Sequence, residues 1–206
     1  DEVENAPTSW ADIKDGDYTV ALGDINGGNA QAAVIASAYA FGGDLNNLDP
    51  AFEFWTQMAE DGRINTLDIL QQNFETGEIP VGVIWSFTAI PYKDQITKYK
   101  LQANIPTDGS IMSGYASVIN KYAPHPCAAA LAREYIFSDE GQANLAAAGA
   151  IPTRTDVEIP DDIQNATFKS EDYANAIPME DTDAYTKACE TVVERWQEEI
   201  TPLLVQ

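Results

Sequence analysis

Apolar and polar positions follow one another along this chain in a way that predicts short strands separated by helices. Residues 18–24, YTVALGD, form a short apolar stretch typical of a buried strand. A glycine-rich turn follows, and over residues 29–41 the apolar positions recur at helical spacing until Gly42 and Gly43 end the pattern. The first part of the chain is therefore predicted to form a strand, a turn and a helix.

The same alternation continues through the next forty residues or so. A second helix is predicted to begin at Asp49, a capping residue, and to end at Gly62, and a third helix is predicted over residues 66–78. Residues 79–87, IPVGVIWSF, are a continuous apolar run of the kind found in strands that are buried on both faces. Strands separated by helices predict an α/β fold with a parallel sheet and crossover helices.

The second half of the chain carries weaker strand signals and clearer helix signals. Residues 100–106, KLQANIP, and 113–120, SGYASVIN, are predicted as strands on either side of a Pro-Thr-Asp-Gly turn. Helices are predicted from Pro126 and from Ser138, where a serine cap precedes an acidic first turn, and the second of them stops at Gly149.

A helix is predicted near each end of the chain. Near the start, Ser9 is a candidate N-cap, and Asp12 occupies the capping-box position three residues later. Near the end, residues 151–182 hold several prolines and many acidic residues, which predicts an irregular surface arm. An amphipathic helix is predicted over residues 182–200.

Charge narrows the possible partners. The chain has 206 residues, of which 45% are apolar, so it is long enough to bury a core. It has 33 acidic residues against 11 basic ones, a formal net charge of −22, and this charge disfavours nucleic acids and anionic membranes as partners. No apolar run is long enough for a membrane span, and the first residues lack the pattern of a signal peptide.

The residues that usually carry catalysis or metal binding are scarce. Cys127 and Cys189 are the two cysteines and His125 is the single histidine, which disfavours a structural zinc site. The two cysteines could form one disulfide or remain buried free thiols. Neither a GxSxG nucleophile elbow nor a GxxxxGK[ST] phosphate loop is present, and the GDINGG turn lacks the remaining ligands of a calcium loop. No cofactor is predicted.

The glycine-rich turn is the first candidate binding site. Ligands of open α/β sheets bind beyond the carboxyl ends of the strands, where loops lead into helix N-termini. The backbone amides of Gly28, Asn29 and Ala30 would stabilise a phosphate, phosphonate or carboxylate there, and Gly27 would allow close approach. The alternative is that Asn26 or Asn29 simply caps the helix.

Five further candidate residues lie elsewhere, in three segments that each have an ordinary structural alternative. Trp85 could stack on a ligand and Ser86 could donate a hydrogen bond to it, unless the tryptophan is a core residue. Ser113 and Tyr115 could bind a solute through their hydroxyl groups, although a tyrosine often packs at the end of a sheet. Arg154 could bind an anion through two parallel hydrogen bonds or form a surface ion pair with nearby acidic residues.

Several phrases, taken in order, resemble the extracellular solute-binding proteins of ABC importers. These solute-binding proteins are of the type II periplasmic-binding-protein class, family 1, whose members bind ferric ion, polyamines, thiamine, phosphonates or sugar phosphates. The phrases are PTSWADIKDGDY, GGNAQAAVIASAYAFGGDL, ETGEIPVGVIWSF, SVINKYAPHPCAAALAREYIFSDEGQ and AAAGAIPTR. The resemblance implies a type II periplasmic-binding-protein-like lobe, with a sheet flanked by helices, together with part of the other lobe.

The resemblance also implies a domain scheme. In this family SWADI looks like the start of the second lobe, after about a hundred residues of first lobe. Residues 7–105 would then be lobe two, residues 110–152 the return segment of lobe one, and residues 153–206 an arm and C-terminal helix that pack mainly on lobe two. Such a chain would expose apolar surface that the rest of lobe one covers, so a dimer or a domain swap is expected.

By the same resemblance, the chain is expected to capture a small solute between two lobes and to deliver it to an ABC permease in the membrane. The protein would be exported, periplasmic or at the cell surface, with lipid anchoring left open, and it would not be an enzyme. Ferric-ion binders usually carry adjacent tyrosines, and polyamine binders an aromatic residue and an aspartate near residues 110–118; neither pattern occurs here. A sugar phosphate or phosphonate is therefore favoured over those two ligands. An α/β enzyme acting on a phosphorylated metabolite is the alternative of another class.

Overall fold

The computed structural model describes residues 3–204, and its elements alternate between strand and helix in the first half of the chain. The strands are β1 Val20–Ala21, β2 Ile64–Asn65, β3 Val81–Gly82, β4 Ser110–Met112 and β5 Ala176–Pro178. The helices are α1 Trp10–Asp15, α2 Gly28–Ala40, α3 Asp49–Glu60, α4 Gln71–Thr76, α5 Ser86–Gln95, α6 Pro126–Ile136, α7 Asp139–Ala147, α8 Asp161–Ala166, α9 Thr182–Arg195 and α10 Thr201–Leu204. A 3-10 turn, Ser170–Tyr173, precedes β5, and a π-helical turn, Trp196–Ile200, joins α9 to α10.

The first sheet is parallel, with the strand order β2-β1-β3. Val20 of the central strand is paired with Ile64 on one side and with Val81 on the other. Because parallel neighbours require a crossover, α2 and α3 connect β1 to β2, and α4 lies between β2 and β3. The predicted α/β architecture is confirmed.

The largest part of the core surrounds α2, which is buried on nearly all sides. Its run of alanines lets α3 and α9 pack closely against it, since short side chains keep the helix axes near one another. The indole of Trp55 on α3 donates a hydrogen bond of 3.0 Å to the hydroxyl of Ser37 on α2, and that hydroxyl donates to the carbonyl of Val34. This core holds the central strand β1 and the start of α2 in fixed positions.

Most predicted helix starts are confirmed. The hydroxyl of Ser9 accepts the amide of Asp12 at 3.0 Å, and Ser138 caps α7 in the same way. The Asp12 carboxylate differs from the capping-box prediction because it accepts from the amide and hydroxyl of Thr8, one residue earlier than the cap. Asp49 is the first residue of α3 and not its cap, which is Leu48.

Several predicted strands and one helix are shorter than their sequence patterns. The helix predicted over 66–78 is confined to α4, and the apolar run at 79–87 forms only the half-buried strand β3 before α5 begins. The strands predicted over 100–106 and 113–120 are absent from the structure. Only β4 forms nearby, in parallel with β5, because no other described strand lies beside those segments to complete their backbone hydrogen bonds.

The arm at 151–182 is more ordered than predicted, since it contains α8, the 3-10 turn and β5. The predicted closing helix is confirmed as α9 with its π-helical continuation. Arg195 near its end pairs with Asp49 at 2.8 Å and so fastens this helix to α3.

Apolar surface is concentrated in one part of the chain. No residue of α6 is buried. Most of the large apolar side chains that are exposed lie between residues 112 and 151: Met112, Tyr115, Val118, Ile119, Tyr122, Leu131, Tyr135, Ile136, Phe137, Leu145 and Ile151. The surface expected on the return segment of lobe one is thus present, whereas the lobe boundaries and the dimer or domain swap stay predictions.

Candidate functional site

A cavity of about 1630 Å³ lies at the carboxyl end of β3 and beside the start of α2, the helix that follows β1. It is bounded by the start of α2, by the β3–α5 connection and by residues 98–106 and 110–117. This is the edge of a parallel sheet at which open α/β folds bind their ligands.

The glycine-rich turn forms one rim of this cavity. Gly27 is the residue before α2, and no side chain caps the helix from that position. Gly28 and Asn29 line the cavity, whereas Asn26, Gly27 and Ala30 do not. A Cβ atom added to Gly28 would meet no atom within 4 Å, so the backbone of the first helical residue is open to a ligand.

The asparagines of this turn do not act as helix caps. Asn26 donates from its backbone amide and its side chain to Oδ1 of Asp24, which closes the turn before the helix and lowers the pKa of the Asp24 carboxyl. Asn29 instead donates from its side-chain nitrogen to the carbonyl oxygens of Val83, at 2.7 Å, and Leu22, at 3.2 Å. Its side chain therefore joins the ends of two strands at the cavity.

Trp85 and Ser86 lie at the start of α5, two and three residues after the Val83 carbonyl that Asn29 binds. Trp85 is the residue before the helix and Ser86 is its first residue; both are half-buried and both line the cavity. The Trp85 and Phe87 rings lie nearly parallel, with centroids 6.5 Å apart. Trp85 is therefore a wall of the cavity and not an interior core residue.

Ser113 and Tyr115 also line the cavity, in the connection after β4. Tyr115 is 84% exposed, and its ring meets Phe87 edge to face with centroids 6.0 Å apart. Tyr173 also lines the cavity, and burial raises the pKa of its hydroxyl, while the hydrogen bond with Ser86 acts in the opposite direction.

Arg154 lies outside the cavity lining, and its guanidinium is engaged elsewhere. It pairs with Asp156 at 2.6 Å and with Asp139 at 2.7 Å, and it donates to the carbonyl of Phe137. These contacts, led by the hydrogen bond with Asp156, raise the pKa of Arg154. Of the two roles that the sequence suggests for Arg154, the surface ion pair is the one that forms. Arg154 is therefore not part of the proposed site.

The charge of the cavity is opposite to that of the chain. Its lining includes three lysines, Lys93, Lys98 and Lys100, and one acidic residue, Glu4, although the chain as a whole has three acidic residues for each basic one. Sequence reasoning missed these lysines and Phe87. The signal was available, because three of the 11 basic residues fall within the eight positions 93–100.

Metal and thiol chemistry find little support in the part of the chain that the structure describes. No group of three or more His, Cys, Asp or Glu side chains there is arranged to hold a metal ion. Both cysteines are free thiols, Cys127 exposed and Cys189 half-buried against Tyr185. Burial raises the pKa of the Cys189 thiol, which keeps it protonated and unreactive.

Residues 1–177 match the family model described as bacterial extracellular solute-binding protein. The chain belongs to this family. The family is named for solute binding, in agreement with the prediction of a binding protein and not an enzyme. The fold of this solute-binding family member is similar to the 1.85 Å crystal structure of an ABC transporter from Clostridium perfringens ATCC 13124, with a TM-score of 0.65 and 20% sequence identity.

That similarity covers 95% of this chain and 63% of the Clostridium perfringens chain, so this family member spans less than two thirds of its structural relative. None of the curated proteins matches it. Within residues 3–204, no helix has the length and apolar character needed to cross a bilayer.

Proposed function

We propose that this chain is part of the solute-binding component of an ABC importer and that it captures a small anionic solute in the cavity beside α2 and α5. Sugar phosphates and phosphonates are the favoured solutes, ahead of polyamines and ferric ion. Residues 7–105 would form lobe two, residues 110–152 the return segment of lobe one, and residues 153–206 an arm and helix on lobe two. The protein would be exported and would act in the periplasm or at the cell surface.

The observation that carries this proposal is the charge of the cavity lining. This chain has 33 acidic residues, so carboxylates would be readily available to line a cation site. A single acidic residue among the lining residues is therefore unusual for such a site. Polyamines are bound by carboxylate groups, and Glu4 is the single carboxylate among the described lining residues. Ferric-ion binders usually carry adjacent tyrosines, and the lining tyrosines, Tyr92, Tyr99, Tyr115, Tyr173 and Tyr185, include no adjacent pair. Lys93, Lys98 and Lys100 instead offer positive charge to an anion.

The helix N-termini at the cavity also favour an anionic solute. The first two residues of α2 and of α5 line the cavity, and the partial positive charge of a helix N-terminus stabilises an anion placed there. Closure of the two lobes would then surround the solute with contacts from both sides, and the closed form would deliver it to the permease. Capture of this kind needs no covalent step.

Thermal unfolding in the presence of candidate solutes tests the proposal, because a ligand that binds the native state raises the melting temperature by mass action. The set contains glucose 6-phosphate, methylphosphonate, spermidine and ferric citrate. An upward shift with the anions alone is expected. A shift with spermidine or ferric ion alone would overturn the preference for anions, and no shift with any solute would overturn capture by this cavity.

A charge variant tests the site itself. Gly28→Asp adds a carboxylate at the first residue of α2, where it favours the helix dipole and meets open space, so the fold should tolerate it. It should nevertheless abolish the shift caused by the anion. The matched control is Asn165→Asp, the same change of charge at an exposed position of α8 outside the cavity lining, and it should leave the shift intact.

A further inference from the structure

We infer that the captured solute is an organic anion with a ring, and that one face of the ring rests on an aromatic wall formed by Trp85, Phe87 and Tyr115. This inference rests on the proposed function and narrows its solute class. Inorganic phosphate and short-chain phosphonates lack the part of the molecule that this wall would contact.

The aromatic wall is continuous across two segments that are far apart in sequence. The Trp85 and Phe87 rings lie within 10° of parallel at the start of α5, and the Tyr115 ring meets Phe87 at 73°. All three side chains line the cavity. Offset parallel and edge-to-face arrangements are the favoured geometries of aromatic rings, so the wall is already assembled without a ligand.

The backbone beneath the wall is held in place from behind. Gly149, at the end of α7, lies against α5 so closely that a Cβ atom there would be 3.2 Å from the Cα of Phe87 and 3.3 Å from the Cβ of Ile90. On the other side, the Asn29 side chain fixes the carbonyl of Val83, two residues before Trp85. A site prepared in this way loses little conformational freedom when a ligand binds.

The position of these rings in the cavity lining indicates contact with a ligand. Trp85 and Phe87 are half-buried, so neither is a core residue, and their apolar rings would gain by leaving water against a bound ring. Small-molecule sites are lined mainly by apolar and aromatic side chains with a few polar groups that set orientation. Ser86 and Ser113 supply hydroxyl groups beside the wall, and the lysines supply charge.

These features together define the solute as a ring with an anionic group. The apolar face of a sugar ring and the face of an aromatic ring share the chemistry that the wall would recognise. The experiment therefore contains both: glucose 6-phosphate and phenyl phosphate as ringed anions, glycerol 3-phosphate and inorganic phosphate as ringless anions, and methyl glucoside as an uncharged ring.

Isothermal titration calorimetry on the chain and on Tyr115→Leu measures the contribution of the wall. Ringed anions should bind more tightly than ringless ones, and Tyr115→Leu should weaken the ringed anions by about three- to tenfold while leaving the ringless ones unchanged. The matched control is Tyr122→Leu, since Tyr122 is 83% exposed but is not part of the cavity lining. It should have no effect on any of the five ligands.

The outcomes separate this inference from the proposed function. Equal affinity for ringed and ringless anions, or equal effects of Tyr115→Leu and Tyr122→Leu, would overturn the ring and leave the anion site standing. Binding of methyl glucoside that depends on Tyr115, without binding of any anion, would support the ring and overturn the anion site. Absence of binding by all five ligands would overturn both.

Discussion

The side chain of Asn29 and the backbone carbonyl of Val83, 54 positions apart in sequence, are joined by a hydrogen bond of 2.7 Å. The same side-chain nitrogen also donates to the carbonyl of Leu22 at 3.2 Å. Val83 in turn donates its amide to the carbonyl of Ala21. The ends of β1 and β3 are thus connected by one polar side chain, and Asn29 and Val83 both line the cavity.

Replacing Asn29 by Ala should destabilise the fold, because the part-buried carbonyls of Val83 and Leu22 lose their donor. We expect the free energy of unfolding in urea to fall by about 1–3 kcal/mol. Asn26→Ala is the control, since the Asn26 side chain bonds only to the exposed Asp24, and its effect should stay within about 0.5 kcal/mol. Equal losses for the two variants would contradict the role of Asn29 as a connection between strands.

Gln142 on α7 is fully buried and organises the segment after that helix. Its oxygen accepts the amides of Thr153, at 2.8 Å, and Arg154, at 3.2 Å, and its nitrogen donates to the carbonyl of Ile136. Gln142→Leu has a similar size but leaves these groups without a partner, so we expect a loss of about 2–4 kcal/mol in urea unfolding.

Asn144→Leu is the matched control for Gln142→Leu. Asn144 lies on the same helix, is exposed, and donates only to the Tyr135 hydroxyl. A loss smaller than about 1 kcal/mol is expected there. If Gln142→Leu were equally mild, the buried amide would not be what holds residues 153 and 154.

Local signals in the sequence predicted the fold best where a side chain satisfies the backbone close by. Ser9 and Ser138 are helix caps that can be recognised without tertiary information, and both form. The strand predicted at 113–120 is different, because its hydrogen bonds depend on a neighbour that the described chain does not place there. The helix predicted from residue 66 begins only at Gln71, and Ile69, in the non-helical segment before it, packs against a small second core that includes Phe74 and Ile79.

In the candidate site too, local signals predicted some residues, while the placement of others depends on the tertiary structure. Gly28, Asn29, Trp85, Ser86, Ser113 and Tyr115 were predicted from turn chemistry and strand ends, and all of them line the cavity. Arg154 was ambiguous because its charge can be neutralised by neighbours only two and fifteen positions away, as it is. The cluster of lysines at 93–100 is visible in the sequence, but its position at the cavity depends on the tertiary fold, which no local pattern predicts.

Asp12 should make stability depend on pH in the acid range. The amide of Thr8, followed by its hydroxyl, lowers the pKa of the Asp12 carboxyl below its ordinary value of 3.8. The unfolded chain therefore takes up this proton first on acidification, so the stabilisation is complete above pH 3.8 and is lost as the pH falls through the folded pKa.

The variant Asp12→Asn isolates this contribution from the other carboxylates. It should be less stable than the unmodified chain at neutral pH, and the difference in melting temperature should shrink to nothing below the folded pKa. Asp17→Asn is the control, because no side-chain hydrogen bond to Asp17 occurs among the described residues. A difference for Asp12→Asn that persists unchanged in acid would refute the assignment to Thr8.

Salt should stabilise this chain because of its net charge of −22. The compact state brings like charges together, and raising sodium chloride from 0.01 M to 1 M shortens the screening length from about 30 Å to about 3 Å. We expect the melting temperature to rise by several degrees. A variant with Glu158→Gln, Glu171→Gln and Glu180→Gln removes three exposed charges from the arm, so it should melt higher at low salt and respond less to added salt. An equal response in both proteins would mean that salt acts through the hydration of apolar surface and not through these carboxylates.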